Sequence, residues 1–397
     1  GLQGEYIMKR FGMVAFVSLM MLSYGCADLK IKIPPLFGSG DAGEGRKAEG
    51  KTTEGDDGEP AAGDDRGTRG LPDASGRGWV GTAMDIASVV MLGAEHGALY
   101  YAYESLAYPG REVHLAVRLR SLREMKNMAN VTVSFYRGRK LIGRSRTDAG
   151  GLAHMAWTPP KIGNYHLRAR ITEVADSHRE FLAISDTSLL VVARSRDTPI
   201  VVIDLDHTIV DAGFFRVLLG GAKPMDRSLE VTKRIAKEYT VVYLTQRPEV
   251  LTRKSKLWLV KHGYPAGPIM LSAGKVFLDS GRFKTGKLKA LRRAYPNVRF
   301  GIGDKFSDTE AYVANGLKAY LIPHCKDKPK DLRKMASRIR RLPGSARLHV
   351  VDNWYDIEAG IFDGKTFPPA TYARALDRRA SRIEAEKRAK KEKDDDD

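Results

Sequence analysis

Two carboxylates follow directly after an apolar segment of this sequence. Asp204 and Asp206 come after Ile200–Ile203, a run of β-branched residues typical of a strand that is buried on both faces. Open α/β sheets bind their ligands beyond the carboxyl ends of such strands. Neighbouring carboxylates repel each other, so they favour a shared proton or a bound cation, and oxygen ligands favour Mg²⁺ over Zn²⁺. The pair therefore predicts a magnesium site, with a merely polar strand end as the alternative.

Other polar residues stand at the ends of later predicted strands. Thr245 follows one apolar segment and Asp304 follows another, with Asp308 at the start of the next predicted helix. Three basic residues lie nearby in the sequence: Arg247, Lys284 and Lys287. Because the ends of parallel strands lie on one edge of a sheet, we expect these side chains to meet Asp204 and Asp206 there.

The sequence from residue 196 onward alternates between short apolar segments and longer amphipathic ones. It predicts strands at 240–244, 269–271, 298–302 and 319–322, and helices at 228–238, 248–262, 285–294 and 307–315. Alternating strands and helices imply a parallel sheet with helices on both faces. We therefore predict an α/β domain over residues 196–365, built on a doubly wound parallel sheet.

Four short motifs occur in order along residues 198–323. The first is Asp-Leu-Asp-His-Thr at 204–208, the second is Thr245, the third is Lys284, and the fourth is Gly-Asp-x-x-x-Asp at 303–308. In this order, and at predicted strand ends, they resemble the motifs of the haloacid-dehalogenase-like (HAD) phosphatases. The resemblance implies a HAD-like fold and Mg²⁺ as the cofactor.

The resemblance also implies a phosphate-ester hydrolase that works through a phosphorylated aspartate. Asp204 would be the nucleophile, and Asp206 would protonate the leaving oxygen and then take a proton from the hydrolytic water. Thr245 and Lys284 would hold the phosphoryl oxygens. Lys287 is the alternative to Lys284, because it lies about one helical turn further on.

The same resemblance implies a set of ligands for Mg²⁺. Asp204, Asp304 and the backbone carbonyl of Asp206 would bind the ion, and Asp308 would be a further ligand or would orient one of them. His207 lies inside the first motif, and we interpret it as lining the turn without a chemical role.

The spacing of the motifs bears on the substrate. Predicted helices and strands fill most of the sequence between Thr208 and Thr245, and between Thr245 and Lys284. Neither interval has room for a large cap domain, so we predict a capless, open site that accepts a bulky phosphomonoester. Four segments look most like the lipin and related phosphatidate-phosphatase group: residues 242–248, 267–272, 282–284 and 308–312. Phosphatidate is therefore the preferred substrate, with nucleic-acid ends and small phosphate esters as alternatives.

Residues 79–195 have a different pattern. Short segments alternate apolar and polar residues and are separated by turn signals such as Arg137-Gly138, which favours an antiparallel sandwich. Residues 109–194 resemble bacterial immunoglobulin-like domains. The resemblance implies a spacer or a partner-binding module, and nothing in this region indicates catalysis.

The beginning of the chain resembles a bacterial lipoprotein signal. Basic residues precede an apolar segment at 11–22, which is short for a membrane-spanning helix, and small residues then lead to Cys26. Cys26 would be the lipidated residue of a signal segment at 1–26. The composition of residues 38–78 cannot support a packed core, so we predict a flexible linker over residues 27–78. The expected location is the bacterial cell envelope, lipid-anchored and facing the periplasm or the outside.

The chain carries a formal net charge of +18, which suits an anionic partner such as phospholipid headgroups or phosphate esters. The basic C-terminal part lacks the interleaved aromatic residues of a nucleic-acid stacking surface, so nucleic acid is the less favoured partner. Two cysteines, Cys26 and Cys325, provide no disulfide framework. Residues 366–397 are predicted to be a charged tail, with a solvated helix at 377–393 and a frayed end, and a contact with anionic headgroups is the alternative.

Two hypotheses from different classes follow. The first is a Mg²⁺-dependent phosphatase tethered to a membrane by lipid. The second is a surface-anchored binding lipoprotein, in which the immunoglobulin-like domain binds a partner and the α/β domain is an inactive scaffold. The presence of every candidate catalytic, phosphate-binding and metal-binding residue favours the enzyme.

Overall fold

The computed structural model describes residues 94–211, 221–272 and 280–396. The predicted signal segment, Cys26 and the predicted linker lie outside these residues. Cys325 is exposed, with a free thiol. In the part of the chain that is described, no helix is long and apolar enough to cross a membrane. A β domain comes first and an α/β domain follows it.

The β domain is a sandwich of two sheets. In the first sheet β3 (Val113–Ser121) pairs antiparallel with β1 (Ala98–Ala102), β4 (Lys126–Asn127) and β7 (Leu152–Trp157). The second sheet has the order β2 (Ser105–Ala107), β9 (Thr187–Ala193), β8 (Gly163–Glu173), β5 (Thr132–Arg137), β6 (Lys140–Arg146). A 3₁₀ helix, Asp176–Ala183, joins β8 to β9.

Alternation along the strands builds the core of this sandwich. Leu115, Val117 and Leu119 of β3 are buried, and so are Leu167 and Ile171 of β8. They belong to one apolar cluster that draws on both sheets. Successive side chains of a strand point to opposite faces, so an alternating sequence fills one core with every second residue.

The α/β domain is built on a six-stranded parallel sheet. Its strands, in spatial order, are β12 (Ile269–Ser272), β11 (Thr240–Pro248), β10 (Ile200–Ile203), β13 (Val298–Gly303), β14 (Lys318–Leu321) and β15 (Leu348–Val350). All neighbouring pairs are parallel. The chain moves outward from β10 in one direction and then returns to its other side, so the strand order reverses between β10 and β13. Ligands of open parallel sheets bind at such a point.

Helices cover both faces of this sheet. They are α1 (Ser228–Glu238), α2 (Thr252–Lys261), α3 (Ser280–Ala294), α4 (Phe306–Ala314), α5 (Pro329–Arg340), α6 (Trp354–Phe362) and α7 (Pro369–Asp396). Val201 and Ile203 of β10 belong to one apolar cluster, and Ile200 and Val202 belong to another. The unbroken β-branched run therefore serves two cores. The predicted mixed α/β architecture is confirmed.

The C-terminal helix α7 begins before the predicted helix at 377–393, and its first half packs against the rest of the α/β domain. Ala373, Leu376 and Ala380 of α7 share a buried cluster with Leu332 and Met335 of α5. Their spacing of three and four residues places them on one face of the helix. The first half of this charged segment is therefore part of the folded α/β domain.

The two domains also contact each other directly. The hydroxyl of Tyr295, which follows α3, donates a hydrogen bond to the carbonyl of Ala107 in β2 at 2.7 Å. Lys256 of α2 donates to the carbonyl of Ala102 at 3.0 Å and pairs with Glu104 at 3.1 Å. Polar groups of the two domains thus form hydrogen bonds and an ion pair with each other.

Candidate active site

The end of β10 places Asp204 at the reversal point of the sheet. Its backbone N–H donates to the carbonyl of Ile302 in β13 at 3.0 Å, which continues the ladder by one residue. The side chain is 2% exposed. A buried carboxylate needs a partner that compensates for the loss of water.

The turn after Asp204 is fixed by backbone hydrogen bonds. The carbonyl of Leu205 accepts from the N–H groups of Thr208 and Ile209. His207 adopts a left-handed conformation with φ of 54° in this turn. The indole of Trp354 donates to the carbonyl of Thr208 at 2.8 Å. Helix α6 therefore stabilises the loop that carries Asp206 through this hydrogen bond.

Three carboxylates converge beyond β10 and β13. Asp204, Asp304 and Asp308 each offer one oxygen within 4.8 Å of the others. The ammonium of Lys284 lies between two of them, at 2.9 Å from Asp204 Oδ1 and 2.6 Å from Asp308 Oδ2. Lys284 is 1% exposed. One lysine neutralises only part of this acidic cluster.

The electrostatics of the cluster favour a further cation. Burial, followed by the negative charges of Asp204 and Asp308, raises the pKa of Asp304 to about 8. Burial and Asp204 also raise the pKa of Asp308, against the influence of Lys284. Burial would lower the pKa of Lys284, but the charges of Asp204 and Asp308 outweigh it and keep the lysine protonated. Asp304 Oδ1 is buried and lacks a hydrogen-bond partner among the described residues. Oxygen-only donors with excess negative charge fit Mg²⁺.

The raised pKa of Asp304 gives a testable pH dependence. Below about pH 8 the metal-free cluster holds a proton on Asp304, and a cation must displace it. We expect the apparent Mg²⁺ affinity to rise by up to about tenfold per pH unit between about pH 6 and pH 8 and then to level off. Calorimetric titration of Mg²⁺ in buffers of different ionisation enthalpy would measure affinity and proton release together. A Mg²⁺ affinity that does not change with pH, without proton release, would contradict the raised pKa of Asp304 in the metal-free cluster.

Asp206 is held apart from this cluster by an arginine. Arg247 Nε lies 3.0 Å from Asp206 Oδ2, and Arg247 Nη2 lies 2.7 Å from Asp206 Oδ1. Arg247 is 3% exposed, and its Nη1 donates to Ser255 Oγ of α2 at 2.9 Å. A two-pronged arginine pair fixes the orientation of a carboxylate. From the sequence, Arg247 was identified only as a nearby basic residue. The feature that could have indicated its role at the site is its position two residues after Thr245.

The other predicted residues take distinct places. Thr245 is buried within β11, and its hydroxyl accepts from the backbone N–H of Arg247 at 3.3 Å. Lys287 is exposed, whereas Lys284 lies in the acidic cluster. His207 is exposed, and its carbonyl lies 2.6 Å from Nε2 of His324. Of the two candidate lysines, the structure thus brings Lys284 to Asp204.

A pocket of 390 Å³ opens beside Asp304. Its lining includes Lys305, Phe306, His324 and Arg338. The guanidinium of Arg338, on α5, lies 4.1 Å from the ring centroid of Phe306. This pocket combines cationic and aromatic groups next to the acidic cluster.

One family model matches the part of the chain that contains this site. Residues 201–322 match the model described as "PITM 1-3, LNS2 domain". The LNS2 domain family is related to the phosphatases of the lipin group. The matched stretch contains every candidate catalytic, phosphate-binding and metal-binding residue and covers less than half of the chain.

Other comparisons give weaker similarity. No curated protein matches the chain. Similar solved structures include the D0-D1 domain of Intimin, with 21% identity over 24% of this chain and 46% of that chain and a TM-score of 0.18. A chain of the Pnkp1/Rnl/Hen1 RNA repair complex has 16% identity over 33% of this chain and 45% of that chain, with a TM-score of 0.30. The PKD domain of an M14-like peptidase from a Thermoplasmatales archaeon has 15% identity over 25% and 93%, with a TM-score of 0.17. This chain spans less than half the length of the first two.

Proposed function

We propose that this chain is a HAD-like phosphatase that hydrolyses phosphomonoesters with Mg²⁺ through an aspartyl-phosphate at Asp204. The observation that carries the proposal is the arrangement at the end of β10. Asp204 is bound to Lys284 beside Asp304 and Asp308, and Asp206 is oriented separately by Arg247. The match of this stretch to a phosphatase-related family supports the same class.

Mg²⁺ would be held by Asp204, Asp304 and Asp308, with the backbone carbonyl of Asp206. The fit rests on the three converging carboxylates and on Asp304 Oδ1, which has no hydrogen-bond partner among the described residues. When bound, the ion supplies neutralisation of the phosphoryl charge and orients the phosphoryl group for attack.

In the first half-reaction Asp204 would attack phosphorus. Lys284 holds Oδ1 of Asp204, so Oδ2 is the oxygen that would form the new bond to phosphorus. The bond from phosphorus to the ester oxygen breaks, and Asp206 donates its proton to that oxygen, which leaves as an alcohol. Thr245 and Lys284 would hold the other phosphoryl oxygens.

In the second half-reaction water would attack the phosphorylated Asp204. Asp206, now ionised, takes a proton from that water while the new bond to phosphorus forms and the acyl-phosphate bond breaks. Inorganic phosphate and the free Asp204 carboxylate result. The pair with Arg247 fixes the orientation of the Asp206 carboxylate for this proton transfer.

The substrate we propose is a bulky phosphomonoester, with phosphatidate preferred. The pocket beside Asp304 would receive the part of the substrate next to the phosphoryl group. Exposed basic residues of α5, among them Lys330, Lys334 and Arg338, would lie against anionic headgroups at a membrane surface.

Phosphate release by the full chain in detergent micelles tests this function. Phosphatidate, a small aryl phosphate and a 3′-phosphorylated oligonucleotide would be compared, each with Mg²⁺ and with a chelator. Mg²⁺-dependent release with a strong preference for phosphatidate is the expected result. Release from the other substrates alone would keep the phosphatase and discard the lipid substrate, and no release from any of them would overturn the enzyme.

The proposed membrane attachment depends on Cys26. We expect Cys26→Ser to move the chain from the membrane fraction to the soluble fraction of an expressing bacterium, because a lipidated cysteine is the proposed anchor. Immunoblotting of the two fractions measures the change, and Cys325→Ser is the matched control. A Cys26→Ser chain that stays in the membrane fraction after a high-salt wash would contradict the lipid anchor.

A further inference from the structure

Glu249 is a buried carboxylate at the boundary between the two domains. It directly follows β11 and is 4% exposed. Two residues of the β domain contact its carboxylate: the hydroxyl of Tyr103 donates to Oε2 at 2.6 Å, and Nη1 of Arg118 donates to Oε1 at 2.7 Å. Arg118 lies on β3 and Tyr103 follows β1. A buried carboxylate that loses such partners is left with an uncompensated charge, which is unfavourable. The carboxylate of Glu249 is therefore held where both partners can reach it.

The end of β11, which carries Arg247, lies immediately before Glu249 in the chain. Arg247, which holds Asp206 with two hydrogen bonds, is separated from Glu249 by Pro248 alone. The ring of a proline fixes one of the two backbone dihedral angles, so the link between the two residues is stiff. On the other side, Thr252 Oγ1 donates to the carbonyl of Glu249 at 2.5 Å, which ties the segment to the start of α2. A shift of Glu249 would therefore move Arg247.

We infer that the β domain contributes to catalysis by positioning residues of the active site. Tyr103 and Arg118 are positioning residues that act through Glu249 on Arg247, and Arg247 orients Asp206. The inference rests on the proposed function, because the step it affects is proton transfer by Asp206. It replaces the expectation of a spacer or a separate binding module with a specific role in turnover.

Contacts elsewhere in the interface already hold the domains together. The Tyr295 to Ala107 hydrogen bond and the Lys256 to Glu104 ion pair join the domains without using Glu249, Tyr103 or Arg118. A buried ion pair is weak evidence for stability, since its attraction is offset by the cost of removing two charges from water. The ion pair between Glu249 and Arg118 therefore serves to fix the geometry of this segment.

The inference predicts an effect on kcat more than on KM. Without its anchor, Glu249 lets Arg247 and Asp206 sample other positions, and a misplacement of about 1 Å can cost about 10²-fold in rate. We expect Arg118→Met to lower kcat by about 10- to 100-fold and Tyr103→Phe by about three- to tenfold, because Arg118 remains in the second variant. KM and Mg²⁺ affinity should stay within about twofold, since Asp204, Asp304 and Asp308 are untouched.

Tyr295→Phe is the matched control. It also removes a single hydroxyl that bridges the domains, but its acceptor is the carbonyl of Ala107 rather than Glu249. We expect its kcat to remain within about twofold of the unsubstituted chain. Arg118→Lys, which keeps a cation near Glu249, should recover part of the activity lost in Arg118→Met.

Hydrogen exchange separates this inference from the proposed function. The amides of residues 245–247 and 249–251 should exchange faster in Arg118→Met than in Tyr295→Phe, whether or not a substrate for the chain is known. Faster exchange together with an inactive unsubstituted chain would overturn the phosphatase and keep the link between the domains. Equal exchange in the two variants, or an equal fall in kcat, would overturn the link while leaving the phosphatase in place.

Discussion

Asp204→Asn should abolish phosphate release, with a fall in kcat of at least about 10³-fold, because an amide cannot attack phosphorus and removal of a nucleophile can cost up to about 10⁶-fold. The substitution keeps the shape of the side chain and removes one negative charge from the cluster with Asp304 and Asp308. The metal-free variant should therefore unfold at a temperature no lower than that of the unsubstituted chain. Initial rates of phosphate release and thermal denaturation measure the two effects.

Asp211→Asn is the control for this loss. Asp211 follows the same turn but is exposed and lies outside the acidic cluster, so its substitution should leave the rate unchanged. An Asp204→Asn chain that keeps more than about a tenth of the rate would contradict the nucleophile assignment. A loss of rate accompanied by unfolding would also count against it, because the account requires the fold to survive.

Lys284→Met should lower activity and stability together. Lys284 is buried and neutralises both Asp204 and Asp308, so its loss leaves carboxylates buried without their cation. Breaking a buried pair by removing one partner costs about 3–5 kcal/mol. We also expect kcat to fall by at least about 10²-fold, because a charged group that would hold the phosphoryl oxygens is lost. Urea unfolding and initial rates measure the two effects.

Lys287→Met is the matched control one helical turn away. Lys287 is exposed, so its removal should change the free energy of unfolding by less than about 0.5 kcal/mol and leave the rate unchanged. Saturating Mg²⁺ should restore part of the stability of Lys284→Met, since a cation bound to the folded state takes over part of the neutralisation. Equal stability of the two variants would contradict the buried ion pairs of Lys284. A larger loss of rate in Lys287→Met would transfer the phosphate-binding role to Lys287.

The convergence of the acidic residues could be predicted from the sequence because it depends on backbone topology. Asp204 and Asp304 each follow an apolar run, and the ends of parallel strands share one edge of the sheet. The strand order then brings β10 and β13 side by side. No side-chain detail is needed to place these two carboxylates near each other.

The pairing of Arg247 with Asp206 could not be predicted in the same way. The apolar run that marks β11 ends at Leu244, yet the strand continues to Pro248 and carries Arg247 past the predicted end. The guanidinium then reaches Asp206 and Ser255, which lie 41 and 8 positions away in the sequence. A long flexible side chain takes its direction from tertiary packing, which periodicity does not reveal.

The packing of the first half of α7 could not be predicted from the sequence, because this segment is highly charged. Ala373, Leu376 and Ala380 have helical spacing, but small residues among many arginines and glutamates give a weak apolar signal. Packing against α5 decides the outcome, because most helical stability in proteins comes from tertiary contacts. The contacts of Glu249 with the β domain were hidden for the same reason, since nothing in either segment alone indicates its partner.

Phosphorylation of Asp204 during turnover tests the proposed function most directly. An Asp206→Asn variant should accumulate the intermediate, because it cannot take a proton from the hydrolytic water. An aryl phosphate suits the experiment, since its leaving group needs little protonation. After mixing with Mg²⁺ and acid quenching, peptide mass spectrometry should find one phosphoryl group per chain, on Asp204. A chain that releases phosphate but carries none on Asp204, or carries it on another residue, would contradict the mechanism.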